Sequence, residues 1–137
     1  MRGWLVLLLL LGCRGAAAYE PQINYMLHCM GCHTPDGSGE PGRVPDMKPT
    51  LVPFAASPDG RRYLVQVPGA SQSQLSNAEL ADLLNWMIQN LSLTKPSRFT
   101  HYTEAEVASY RGKTLVAVRA TRERLMQSLT GASAPKP

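Results

Sequence analysis

The sequence is poor in the features that define several common classes of protein. Only three of its 137 residues are cysteines, and only 7% are aromatic. A structural zinc site needs four ligands, which usually come as two pairs. Beyond Cys29, Cys32 and the adjacent His33, the chain offers only Cys13 and the scattered His28 and His101. The shortage of cysteine and histidine therefore argues against a zinc-binding module.

Long apolar runs, alternating patterns and internal repeats are also missing. The apolar run at residues 5–11 is far shorter than the ~20 residues that a membrane-spanning helix needs. No stretch alternates between apolar and polar residues as a half-buried strand does. The chain therefore offers no convincing candidate for a strand, and we expect no transmembrane span in its mature form.

The first 18 residues have the three parts of a secretory signal peptide: a basic start, a short apolar run and small residues at the end. Cleavage after Ala18 would leave 119 of the 137 residues, beginning at Tyr19, which is enough for one domain. The alternative is a bacterial lipoprotein signal, in which Cys13 would carry a lipid anchor. Either type of signal would direct export of the protein, and the periplasm is the expected location.

Part of the net positive charge of the whole chain lies in its first 18 residues. Removal of residues 1–18 takes away Arg2 and Arg14, so 12 basic residues remain against 10 acidic ones and the formal charge falls from +4 to +2. A nucleic-acid-binding domain is typically far more basic. We therefore expect no nucleic-acid partner.

The stretch Cys29-Met30-Gly31-Cys32-His33 has the pattern of a c-type haem attachment site. Each thiol can add to one vinyl group of the porphyrin, and the following histidine then lies beneath the iron as an axial ligand. A redox-active dithiol is the alternative for a Cys-x-x-Cys pair. Such a pair is expected at the start of a helix that follows a strand, and the residues before Cys29 do not resemble a strand. We therefore predict one covalently bound haem c.

Apolar spacing and helix start signals predict five helices around this motif. The first covers residues 19–30, with Ile23, Met26, Leu27 and Met30 on one face. Residues 34–49 are a loop, because seven of them are proline or glycine. Three further helices follow the start signals Ser57-Pro58-Asp59, Ser76-Asn77-Ala78-Glu79 and Thr103-Glu104-Ala105-Glu106, the last two being capping boxes.

The longest of these helices should bury Leu80, Leu83, Leu84, Met87 and Leu91. The fifth helix covers residues 115–129, and we expect its inward side chains to be Leu115, Val118, Leu125 and Leu129. The predicted organisation is a signal peptide at 1–18, a core at 19–92, a C-terminal helical extension at 93–131 and a disordered tail at 132–137.

The order of haem motif, Gly/Pro-rich loop, short helix and capped helix with Asn85-Trp86 resembles the small class I cytochromes c. The resemblance covers roughly residues 19–91 and implies an all-α, cytochrome c-like fold packed around one haem. It also places Pro45-Asp46-Met47 where that family has a Pro-x-Leu element, whose proline carbonyl accepts a hydrogen bond from Nδ1 of the axial histidine. The implied apolar pocket consists of Tyr25, Met47, Leu51, Phe54, Tyr63, Leu64, Leu83, Trp86 and Met87.

The sixth iron ligand is where the sequence departs from the family. Class I cytochromes c usually supply a methionine from the loop before the last core helix, but residues 67–75 contain none. Three other side chains are candidates, namely Met47, Met87 and His101. An oxygen of Gln72 or Gln74 and an open position are the remaining options.

The resemblance implies an exported carrier of single electrons rather than an enzyme. Its redox partners would be a periplasmic dehydrogenase upstream and an oxidase or another cytochrome downstream. One alternative is a haem protein whose open distal site binds a small ligand or reacts with peroxide. Another is a cytochrome subunit of a dehydrogenase complex, with the C-terminal extension as its interface.

Overall fold

The computed structural model describes residues 19–131, which form seven α-helices and no strand. The prediction of an all-α chain is confirmed for these residues, while the predicted signal peptide, Cys13 and the predicted disordered tail lie outside them. No helix in the described range is long and apolar enough to cross a membrane. The helices are α1 (Pro21–His28), α2 (Leu51–Ala55), α3 (Pro58–Gln66), α4 (Pro68–Ser71), α5 (Asn77–Asn90), α6 (Glu104–Arg111) and α7 (Val118–Leu129).

Two of the predicted helix starts form as expected. The Ser57 hydroxyl accepts a hydrogen bond from the Gly60 amide at 3.1 Å, which caps α3. At α5 both halves of the capping box are present: Ser76 Oγ accepts from the Glu79 amide at 3.2 Å, and Glu79 Oε2 accepts from the Ser76 amide at 2.8 Å. These bonds satisfy amides that would otherwise lack partners.

The predicted capping box of α6 forms only by half. Thr103 Oγ1 accepts a hydrogen bond from the Glu106 amide at 3.2 Å. The Glu106 carboxylate does not return to the Thr103 amide, because both of its oxygens bind the guanidinium of Arg61 at 2.6 Å. A charge-assisted bidentate pair is stronger than a neutral capping bond, so the Glu106 side chain pairs with Arg61 and does not cap α6.

The predicted inward face of α1 is wrong. Ile23, Met26 and Leu27 are 39%, 50% and 62% exposed, whereas Asn24 and Tyr25 are buried. The Tyr25 ring lies 5.6 Å from that of Trp86 on α5, and its hydroxyl donates to the Thr34 carbonyl at 2.6 Å. A helix of eight residues is oriented by such contacts more than by its own apolar spacing.

The centre of the main core is α5. Its predicted inward residues Leu80, Leu83, Leu84, Met87 and Leu91 are all buried, so this prediction is confirmed. Helices α1, α2 and α6 pack directly against α5. A second apolar cluster joins Phe54, Tyr63 and Leu125, which bring together α2, α3 and α7.

Two short helices were missed by the sequence analysis. Helix α2 has five residues and α4 has four, which is too short for an apolar period to be visible. Helix α3 ends at Gln66, and Pro68 begins α4, where a residue without an amide hydrogen is tolerated.

The C-terminal extension packs into the same core as the rest of the chain. Tyr102 and Val107 are buried in the cluster that surrounds α5. Asn85 holds the backbone of Tyr102 through bonds of 3.0 Å to its carbonyl and 2.7 Å from its amide. Helix α7 begins at Val118, three residues after the predicted start at Leu115. Leu125 is buried and Leu115 and Val118 are partly buried, as expected, but Leu129 is exposed, so that part of the prediction is wrong.

Candidate functional site

A mostly apolar cleft of about 300 Å³ lies beside the C-terminal end of α1 and residues 45–47. Its other sides are lined by residues of α3, by residues of α7 and by the segment that precedes α5. Pockets of this size and polarity are typical of cofactor and small-ligand sites. Ten of the site and pocket residues predicted from the sequence line this one cleft. They are Cys29, Cys32, His33, Pro45, Met47, Phe54, Tyr63, Leu64, Leu83 and Met87.

Four predicted residues do not line the cleft. Tyr25 and Leu51 are buried in the main core, and Trp86 packs against that core. His101 is exposed, and its ring stacks on Phe99 with 4.5 Å between the ring centroids. These positions leave Met47 and Met87 as the predicted distal candidates that line the cleft, and they separate His101 from it.

Two residues of the C-terminal extension line the cleft, and the sequence did not predict this. Val118 and Arg122 of α7 line it, and Arg122 Nη2 donates to the carbonyl of Asp46 at 3.4 Å. The basic run of α7 was visible in the sequence, but its position beside residue 46 depends on a contact over 76 residues of chain. No local pattern could have indicated that contact.

The cysteine–histidine motif is held in a tight turn at the C-terminal end of α1. Cys29 is the C-cap residue, and its amide donates to the Tyr25 carbonyl at 2.9 Å. The Cys29 carbonyl then accepts from the amides of Cys32 at 3.1 Å and His33 at 2.9 Å. This helix-like turn brings both sulfurs and the imidazole to the same cleft.

The environment of Cys29 does not suit a redox-active dithiol. Burial, together with the nearby Cys32, raises the pKa of its thiol to about 11. Reactive cysteines in Cys-x-x-Cys motifs have lowered pKa values and lie at helix N-termini, whereas this one ends a helix. The structure therefore disfavours a dithiol that exchanges disulfides.

Burial disfavours the charged form of the His33 imidazole. Burial lowers the pKa of His33, and the Ser38 backbone and the negative charge of Asp46 only partly offset this effect. Its Nδ1 atom is buried, and no atom of residues 19–131 accepts or donates a hydrogen bond to it. A neutral imidazole is the form that binds metals.

The hydrogen bond expected between His33 Nδ1 and the Pro45 carbonyl is not formed among the described residues, and the orienting role of Pro45 stays a prediction. The loop itself explains the difference. The Pro45 carbonyl lies against Gly39, where a Cβ would stand only 2.8 Å from that oxygen and 2.1 Å from the Val44 oxygen. The absence of a side chain at Gly39 lets the two parts of the loop approach, and Pro45 lines the cleft without contacting Nδ1.

A polar cluster stabilises the turn after His33. Asp36 Oδ1 accepts from Thr34 Oγ1 at 2.6 Å and from Ser38 Oγ at 2.7 Å, while Oδ2 accepts from Lys48 Nζ at 2.7 Å. These donors, Lys48 foremost, lower the pKa of Asp36 well below its usual range. Gly37 has a φ of +83°, which glycine adopts without strain.

The segment before α5 borders the cleft without offering a strong iron ligand. Gly69, Ala70, Ser73 and Leu75 line the cleft. Gln72 and Gln74 are exposed and are not among the lining residues. The two glutamine side chains that were considered as iron ligands therefore do not contribute to the lining of the cleft.

Comparisons with protein-family models, with curated proteins and with solved structures found no match. Among residues 19–131, no three His, Cys, Asp or Glu side chains approach closely enough to hold a metal ion. The function of the protein is therefore inferred from the geometry of the cleft and of the motif at its edge.

Proposed function

We propose that this chain is an exported monohaem cytochrome c that carries single electrons. The observation that carries the proposal is the convergence of Cys29, Cys32 and His33 at the edge of one apolar cleft. The residues fit the group. Two thiols stand at the spacing of haem attachment, and a neutral imidazole can bind iron.

The bound haem would supply the one-electron ferric–ferrous couple. Cys29 and Cys32 would hold the group through thioether bonds, and His33 would provide the axial nitrogen. The apolar lining, including Phe54, Leu83 and Met87, would exclude water and lower the local dielectric constant. Low polarity and the choice of axial ligand are the protein's main means of setting a haem potential.

Two features favour a carrier over the alternatives. Peroxide chemistry requires a general acid–base group within reach of the reacting atoms. His101, the residue considered for that role, is exposed outside the cleft, and His28, which does line the cleft, directly precedes the attachment cysteine Cys29. The inner faces of α6 and α7 pack on the core of their own chain. We therefore favour a carrier with transient redox partners, such as a dehydrogenase and an oxidase or another cytochrome, over a subunit fixed through the extension.

The direct test is attachment in a host with a cytochrome c maturation system. Intact-mass measurement should show one haem per exported chain. We expect Cys29→Ser and Cys32→Ser each to lose one thioether, and the double variant to lose the covalent haem. Cys13→Ser is the matched control, because a cysteine removed with the signal peptide cannot affect attachment. An exported wild-type chain without covalent haem would refute the proposal.

The axial role of His33 is tested separately from attachment. His33→Ala should retain both thioethers but change the optical spectrum of the ferric protein. His28→Ala is the control, because His28 also lines the cleft but does not follow the second cysteine. Equal spectral effects of the two variants would contradict the assignment of His33.

A further inference from the structure

One wall of the cleft is formed by the irregular segment between α4 and α5. Ser73 and Leu75 of this segment, together with Ala70 of α4, line the cleft from this side, so the wall presents small or apolar groups. Only short-range hydrogen bonds, such as that from the Ser73 amide to the Ala70 carbonyl at 3.3 Å, hold the segment internally. A stretch with so few internal bonds needs external support to keep one conformation.

Most of the hydrogen bonds that supply this support come from one arginine of the C-terminal extension, beside a bond of 3.1 Å from Ser71 Oγ to Thr114 Oγ1 and the burial of Leu75 in the main core. Arg111 Nε donates to the Ser71 carbonyl at 3.2 Å, Nη1 to the Leu75 carbonyl at 2.5 Å and Nη2 to the Ser73 carbonyl at 2.6 Å. Further bonds reach Ser73 Oγ at 3.0 Å and Asn77 Oδ1 at 3.3 Å. The guanidinium thus binds every second carbonyl of the segment.

The geometry of the guanidinium explains why Arg111 fixes the backbone conformation of the segment and does not only attract its carbonyl groups. Its N–H groups form a rigid planar fork, so the three carbonyls must keep fixed relative positions to accept from it. Hydrogen bonds from a charged donor are about twice as strong as neutral ones. A lysine would supply the charge but not the fork.

We propose that Arg111 is a positioning residue that holds residues 71–77 as a fixed wall of the cleft and thereby limits the entry of small ligands from that side. The ligand class is a small electron-pair donor, such as imidazole, that competes for haem iron. The effect on ligand entry rests on the proposed function. The clamp on the segment does not.

The clamp is tested by hydrogen exchange of the purified protein. Arg111→Met should raise amide exchange at residues 71–77, and Arg111→Lys should behave similarly because it keeps only the charge. Loss of bonding equivalent to about 1.4 kcal/mol would raise the open population roughly tenfold. Ser57→Ala is the control, because it removes the cap of α3 and lowers stability without touching the segment.

Ligand entry is tested by imidazole binding to the ferric protein in stopped flow. We expect a roughly tenfold faster association in Arg111→Met, if entry follows the open population, and no change in Ser57→Ala. Ala70→Leu keeps the Arg111 contacts but adds bulk on the wall, so it should slow association. This second variant provides a test even if Arg111→Met folds poorly.

The outcomes separate the two proposals. Unchanged exchange at 71–77 in Arg111→Met, or wild-type exchange in Arg111→Lys, would overturn the clamp. Changed exchange with unchanged imidazole association would overturn its role in ligand entry. A low-spin ferric spectrum that becomes high-spin in Met87→Leu would show that an internal ligand controls entry, and would also overturn it. Absence of covalent haem would refute the proposed function, while the exchange experiment would still decide the clamp.

Discussion

Tyr25 shows how one side chain connects the first helix to the loop that follows the motif. Its hydroxyl donates to the Thr34 carbonyl at 2.6 Å, and burial, followed by the charges of Cys29 and Asp36, raises its pKa to about 12. The unfolded chain releases this proton near pH ~10. Between these two values the unfolded state binds fewer protons, so the contribution of Tyr25 to stability is lost as the pH rises.

Replacement of Tyr25 by phenylalanine tests this linkage. At pH 8 we expect Tyr25→Phe to lower the free energy of unfolding by about 1 kcal/mol, because one hydrogen bond is lost. At pH 11 the difference from wild type should shrink, since only the wild type then carries the penalty of keeping the proton. Urea titrations at both pH values measure this, and an equal difference at both would contradict the assignment.

Gly60 is required by the close approach of α2 and α3. A Cβ at this position would stand 2.3 Å from the Phe54 carbonyl oxygen, which no side chain can tolerate without movement of the backbone. We predict that Gly60→Ala lowers the free energy of unfolding by about 1–3 kcal/mol. Gly69→Ala is the matched control, because a Cβ there meets no atom within 4 Å, and thermal unfolding should show little change or a small gain.

At the residue scale, the sequence could indicate the motif but not its surroundings. Cys29, Cys32 and His33 were found because their chemistry requires a fixed spacing in the chain. Arg111 and Arg61 were missed because their partners lie 36–40 and 45 residues away. In the sequence they belong to runs that usually form a solvated helix face.

At the scale of elements, α3 and α6 are joined by a largely buried ion pair, in which the Arg61 side chain is 10% and the Glu106 side chain 22% exposed. Arg61 binds both oxygens of Glu106 at 2.6 Å, and its remaining N–H groups donate to the carbonyls of Ala55, Thr100 and His101. Its guanidinium also lies 3.9 Å from the centre of the Tyr102 ring. Removal of one partner from such a pair leaves an uncompensated charge.

We predict that Glu106→Gln lowers the free energy of unfolding by about 3 kcal/mol, because Arg61 would lose its counter-ion while it stays buried. Asp59→Asn is the control, since Asp59 pairs with Arg62 at the surface over 3.5 Å, and its effect should be below about 0.5 kcal/mol. Denaturant unfolding compares them, and equal effects would show that the buried pair adds nothing.

Elements with strong local signals were predicted well, and those defined by packing were not. Helix α5 has a capping box and five apolar residues at helical spacing, and both its start and its buried face are confirmed. Helix α1 lacks such a cap, and its inward face was predicted wrongly because contacts of Tyr25 orient it. The short helices α2 and α4 offered too few residues for any period.

At the scale of the whole molecule, the core and the C-terminal extension depend on each other. Tyr102 and Val107 complete the core around α5, and Arg111 and Arg122 support two walls of the cleft. We predict that a chain ending at residue 92 does not fold cooperatively, because it leaves Arg61 without Glu106 and exposes the apolar surface of α5. Circular dichroism during thermal unfolding tests this, with a chain ending at residue 131 as control. A sharp transition in the shorter chain would contradict it.

The measurement that tests the central claim most directly is an optical redox titration of the exported wild-type protein. If Cys29, Cys32 and His33 hold one haem in the apolar cleft, the protein should show a single, reversible one-electron transition with one covalent haem per chain. A protein that exports and folds without a haem spectrum, or whose haem cannot be reduced and reoxidised reversibly, would contradict the account.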